Sequence, residues 1–125
     1  MKVVAAMTGL EHALLGLRQA LDSPRRHHVW RWLVRNRMAG VKDALVAELM
    51  RGGDAWLTSR EGAMVRERDA LLRRLAQLGP AVLEEPDVEP VRVELLRLAT
   101  DIEHHQQRVN DLVYDSVTLE LGGSD

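Results

Sequence analysis

Leu10, Leu14, Leu17 and Leu21 recur at steps of four, three and four residues, the spacing of one face of an α-helix. Ahead of them, Thr8-Gly9-Leu10-Glu11 forms a capping box, in which the Thr hydroxyl and the Glu carboxylate satisfy free amides at a helix start. A second stripe follows in Trp30, Val34, Met38, Val41, Leu45 and Leu49. Asp22-Ser23-Pro24 is expected to open it with a cap and a proline at the first helical position, and Gly52-Gly53 to close it. The third stripe is Leu57, Met64, Arg68, Leu71, Leu75 and Leu78. Asp54, or the capping box Thr58-Ser59-Arg60-Glu61, opens it, and Gly79-Pro80 is expected to stop it. Glu84-Glu85-Pro86-Asp87 reads as a polar connector. The fourth stripe starts near Glu89-Pro90 and runs through Val91, Leu95, Leu98, Ile102, Val109 and Val113 to Gly122-Gly123.

Four amphipathic helices on short turns cannot bury their stripes singly. The pattern therefore predicts an all-α protein, an antiparallel up-down-up-down four-helix bundle, with one domain over residues 1–121 and a short tail over 122–125. Composition agrees. With 46% hydrophobic and 29% charged residues, the 125-residue chain groups with globular proteins and can bury a core without a metal or a disulfide. Cys is absent, which removes disulfides, thiolate zinc sites and cysteine nucleophiles. Phe is absent too, and Ile occurs only at Ile102, so Leu, Val, Ala and Met must fill the interior.

The net charge of −2 hides an uneven spread. Residues 1–83 carry 14 basic and 8 acidic side chains, a balance of +6, whereas residues 84–125 carry 3 and 11, a balance of −8. Such a split predicts that an acidic fourth helix lies beside basic earlier helices, or beside those of a second subunit. No apolar stretch approaches the ~18 residues of a membrane span. The short run Met1-Lys2-Val3-Val4-Ala5-Ala6-Met7 leads to no cleavage site, so the expected location is the cytoplasm.

One cation breaks the third apolar stripe. At 100° per residue Arg68 falls at its centre, flanked by Met64, Leu71 and Leu75. A buried guanidinium without a partner costs about 3–5 kcal/mol, so a carboxylate or other acceptor is expected to face it. Glu48 and Glu61 lie on inner stripes but nearer helix ends. Asp101, His105 and Gln106 lie close to the midpoint of the fourth stripe. The expectation is a mid-bundle polar layer of Arg68, His105, Gln106 and Asp101, serving either as a small pocket or as a network that fixes helix register.

Five histidines raise the question of a metal centre, because bundles build such centres from inward His, Glu and Asp on facing helices. Three stretches resemble the hemerythrin-like proteins: Leu10-Glu11-His12-Ala13-Leu14, Arg66-Glu67-Arg68-Asp69-Ala70-Leu71 and His105-Gln106-Gln107-Arg108-Val109-Asn110-Asp111. In that family the corresponding helices carry iron-binding histidines and carboxylates, and the second helix carries a His followed by Glu. Here Arg68 stands where a ligand His would be expected, and Val109 where a carboxylate often follows the last His. Val41 and Leu45 occupy the second helix's ligand positions. His12 and His105 hold matching positions, but the heptad turns His12 outward. The resemblance thus implies a bundle of this type that has lost its metal. The alternative is a metal- or small-ligand-binding bundle, with iron held by His105 together with His12 or His27.

The stretch Arg25-Arg26-His27-His28-Val29-Trp30-Arg31-Trp32-Leu33-Val34-Arg35-Asn36-Arg37 is basic and carries two tryptophans. A nucleic-acid reading would place its arginines on phosphates and Trp32 on a base. The negative overall charge and the lack of any accompanying binding motif favour a basic face matched to the acidic fourth helix. Trp32, with Arg31 and Arg35, is also a candidate protein interface. No Ser stands in a supported Ser-His-acid spacing, and no G-x-S-x-G or P-loop occurs. No second inner cation joins Arg68 to clamp a dianion. The expected function is non-catalytic: a bundle acting through protein contacts, with self-association.

Overall fold

The computed structural model describes the backbone of residues 8–24, 27–52 and 59–123, and the side chains of these except 27, 48–52, 59–61 and 113–123. It contains four helices, α1 (Gly9–Asp22), α2 (His27–Gly52), α3 (Ser59–Glu84) and α4 (Glu89–Gly123), and no strand among the described residues. Helix α1 packs on α2, α2 on α3, α3 on α4, and α4 back on α1, and among the described residues no backbone of a diagonal pair comes close. The four apolar stripes therefore close on one another around a single core, as an antiparallel up-down-up-down bundle. Its centre is built by Leu17, Leu21, Trp30, Val34, Met38, Val41, Leu45, Leu75, Leu95, Leu98 and Ile102. No described helix is long and apolar enough to cross a membrane.

Local chemistry explains where the helices begin and end. The Thr8 hydroxyl accepts from the Glu11 amide at 3.1 Å, and the Glu11 carboxylate accepts from the Thr8 amide at 3.3 Å, completing the capping box of α1. The same hydroxyl accepts from Gln106 Nε2 at 3.0 Å, so this cap also ties α1 to α4. Thr8→Ala removes both contacts, and thermal unfolding is expected to show a loss of about 1–2 kcal/mol. At the start of α4 the Asp87 carboxylate accepts from the Glu89 amide at 3.1 Å. The expected caps at Asp54 and Thr58 lie outside the described residues.

Two boundaries differ from the pattern-based expectation. Ser23 does not open α2; it closes α1, with its hydroxyl donating to the Ala20 carbonyl at 2.7 Å. Pro24 is not helical, and α2 is described from His27 onward. Gly79-Pro80 does not stop α3, which continues to Glu84. Pro80 removes only the bond to the Ala76 carbonyl, and both residues sit on the solvent side, where water can cover that oxygen. Continuation also seats Val82 fully in the core. Gly79 serves close approach, since a Cβ there would lie 3.3 Å from the Arg35 guanidinium.

The charge split is resolved differently from the expected pairing of a basic α2 with an acidic α4, because those two helices are diagonal. Helix α4 instead meets α1 through Arg18–Glu103 (3.3 Å) and Arg92–Asp22 (3.9 Å), and α3 through Arg74–Asp101 (2.7 Å). Arg31 of α2 donates to the carbonyls of Val82 (3.1 Å) and Pro86 (3.4 Å), where the α3 helix ends and its dipole is negative.

Candidate functional site

Arg68, His105 and Gln106 are the buried polar side chains among the described residues. Arg68 is 1% exposed and His105 0%. Helical geometry sends their contacts in separate directions. His105 turns to α3, where its Nδ1 meets Glu67 Oε1 at 2.5 Å. Gln106, one position and 100° further round, turns to α1 and Thr8. The bond to Thr8 places this layer level with the beginning of α1, not at the middle of that helix.

Glu67 is the organising residue of the layer, and its place at the edge of the stripe hid it from a reading confined to stripe centres. Besides His105 it accepts two bonds from Arg108, from Nη2 to Oε2 at 2.7 Å and from Nε to Oε1 at 3.3 Å. Partial burial raises the Glu67 carboxyl. Hydrogen bonds from His105 and Arg108 and their positive charge outweigh that effect, so the group lies below the usual carboxylate range. An ionised carboxylate accepts only, so the proton of the contact sits on His105 Nδ1.

Asp101 leaves the expected layer. Antiparallel register sets it one turn toward the α3 C-terminus, where it is about half exposed and pairs with Arg74. No carboxylate therefore answers Arg68 among the described residues. Its Nε and Nη1 have no hydrogen-bond partner there, and neither has His105 Nε2. Glu48 and Glu61, the other acidic residues of the inner stripes, have side chains outside the described set. A cleft of about 330 Å³ opens one turn from Arg68 along α3, lined by Ala63, Met64, Arg108, Asp111 and Leu112. Its walls are mainly apolar, with Arg108 and Asp111 as the charged groups.

The donor set of the iron alternative does not converge. His12 is exposed and lines the groove between α1 and α2 with Asn36 and Asp43, whereas His105 is buried against α3. The His27 side chain lies outside the described residues. No three His, Asp or Glu among the described residues gather closely enough to hold a metal ion. These residues do not fit an iron pair.

The candidate interface also divides. Trp32 is 64% exposed and Val29, one turn earlier, 69%. Arg31 and Arg35 do not share that face: Arg31 is half-buried on the end of α3, and Arg35 leans on Gly79. Arg37 turns the other way, with its Cδ near Gly16 of α1. The strip of α2 that holds Val29 and Trp32 continues through Asn36, Ala39 and Gly40 to Asp43, all exposed, with exposed Arg35 and Arg37 on its flanks. No family model, no curated protein and no solved structure matches the chain significantly.

Proposed function

We propose that this chain is a non-catalytic helical-bundle protein, of the hemerythrin-like type without the metal site, that acts in the cytoplasm through protein contacts and pairs with a second copy of itself through the outer face of α2. The observation that carries this reading is the exposure of Val29 and Trp32 on one helix face while the neighbouring arginines are turned onto α3 and α1. Between Val29 and Gly40 the middle of this face (Val29, Trp32, Asn36, Ala39 and Gly40) is uncharged, and exposed Arg35 and Asp43 border it with opposite charges. A second copy, turned antiparallel about a two-fold axis, sets the Asp43 end of one face toward the Arg35 end of the other, so the pairing is self-complementary. Ala39 and Gly40 let the two backbones approach closely; a Cβ at Gly40 would meet nothing within 4 Å in its own chain.

The face spans about 17 Å of helix, short of a large obligate interface, so association is weak and concentration-dependent. Sedimentation of the unaltered protein near 100 μM, a concentration suited to Kd values of about 10⁻⁴ M, is expected to show dimer. Trp32→Glu is expected to leave monomer at the same concentration with unchanged helicity. A monomer in both forms would refute the pairing. Iron has no part in the proposal: a permanent guanidinium in the His105 layer repels a divalent cation. Protein purified without a histidine tag is expected to carry no stoichiometric metal.

A further inference from the structure

The buried layer holds more hydrogen-bonding capacity than the protein uses. Arg68 is always charged, is 1% exposed, and brings three N–H groups on Nε and Nη1 that find no acceptor among the described residues. His105, wholly buried, presents an unpartnered Nε2. The two belong to one layer, because His105 is bonded to Glu67, the residue adjacent to Arg68. Glu67 itself does not answer Arg68, since both its oxygens are engaged by His105 and Arg108. The register of that pair fixes the His105 ring and aims its second nitrogen into the interior.

Charge then selects the ligand. Among the described residues Glu67 is matched by Arg108 and Asp101 by Arg74, which leaves the positive charge of Arg68 without a counter-charge. One negative charge balances it. A dianion such as a phosphate monoester would bring a second charge into an apolar core with no cation to meet it. The residues along the stripe, Met64, Leu71 and Leu75, and the Ala63, Met64 and Leu112 walls of the neighbouring cleft call for a hydrocarbon body behind the anionic head.

We propose that Arg68, at the level of His105 in the bundle, is the receptor for the carboxylate of a small monocarboxylic acid whose apolar body occupies the cleft at Met64, one turn along α3. The guanidinium supplies charge and donors to the carboxylate. This site is independent of the outer face of α2 and of any pairing through it.

The test is calorimetric titration of the full chain with three probes of one chain length: hexanoate, hexanol and hexylamine. Hexanoate is expected to bind with a Kd of about 1 mM or tighter, and the neutral and cationic probes at least about tenfold more weakly. Arg68→Met, verified to keep its helical circular dichroism, is expected to lose that preference while retaining whatever binding hexanol shows. Equal affinities for the three probes on the unaltered protein would overturn the proposal, whether or not the variant folds. So would the absence of hexanoate binding up to about 10 mM, or a preference for hexanoate that survives in the folded variant.

Discussion

Replacing Arg68 by methionine is expected to stabilise the ligand-free protein by about 1–4 kcal/mol, the range seen when buried ionic groups give way to apolar residues of similar volume. The side chain is fully buried in the third helix's apolar stripe, and two of its nitrogens have no acceptor among the described residues. Its desolvation is therefore uncompensated by the contacts seen. Methionine is unbranched and flexible enough to fill the same volume between Met64 and Leu71. For a domain of this size each kcal/mol moves the thermal midpoint by about 4 °C, so differential scanning calorimetry resolves the change. Arg68→Ala separates the contributions: it removes the charge but leaves a cavity, and is expected to fall below Arg68→Met by about 2–3 kcal/mol. A loss of more than about 1 kcal/mol in Arg68→Met would instead mean that a buried acceptor depends on the guanidinium.

The same substitution links stability to binding. A residue that costs the fold and is nonetheless buried fits a site in which a strained, underpartnered group is reserved for a ligand. Arg68→Met is thus expected to melt higher and to bind hexanoate worse. A bound monocarboxylate, by mass action, is expected to raise the midpoint of the unaltered protein toward that of the variant.

What the chain discloses about itself follows from how local each signal is. The four stripes and the Thr8-Glu11 capping box depend on spacing alone, and they place the helices, the ring of packing and the burial of Arg68. Gly79-Pro80 misleads because its usual meaning is a helix stop, whereas here the glycine makes room for Arg35 and the proline faces solvent. Ser23 misleads because one hydroxyl can cap either the helix behind it or the one ahead, and only the backbone path decides. The site is harder to read. Stripe centres reveal which residues are buried, but the partners of a buried group stand on the seam edges, and the register of two antiparallel helices decides which of them meet. That register brings Glu67 to His105 and sends Asp101 to Arg74 in place of Arg68. Likewise the basic stretch of α2 is plain in the sequence, yet its Arg31 turns to the carbonyl end of α3, which carries no letter in a sequence.

Glu67→Leu is expected to destabilise the bundle by about 1–3 kcal/mol at neutral pH, because it strips the acceptor from a wholly buried His105 Nδ1–H that has no water to turn to. The pH dependence gives the sign. The Glu67 carboxyl is held below its ordinary range in the folded protein, so the unfolded chain takes up the proton first as the solution is acidified. Its contribution is present in full above about pH 4.3, the value of an unperturbed Glu, and is lost as pH falls through the lower folded value. Glu67→Gln keeps the shape and an oxygen for His105 but cannot ionise. It is expected to be less stable than the unaltered protein near pH 7 and to approach it in acid, since protonation removes from Glu67 the charge that the variant never had. Urea unfolding of both proteins between about pH 2 and pH 7 checks this. Parallel curves over that range, with no narrowing at the acid end, would show that the His105–Glu67–Arg108 contact adds nothing through its charge and that the layer is held by packing alone.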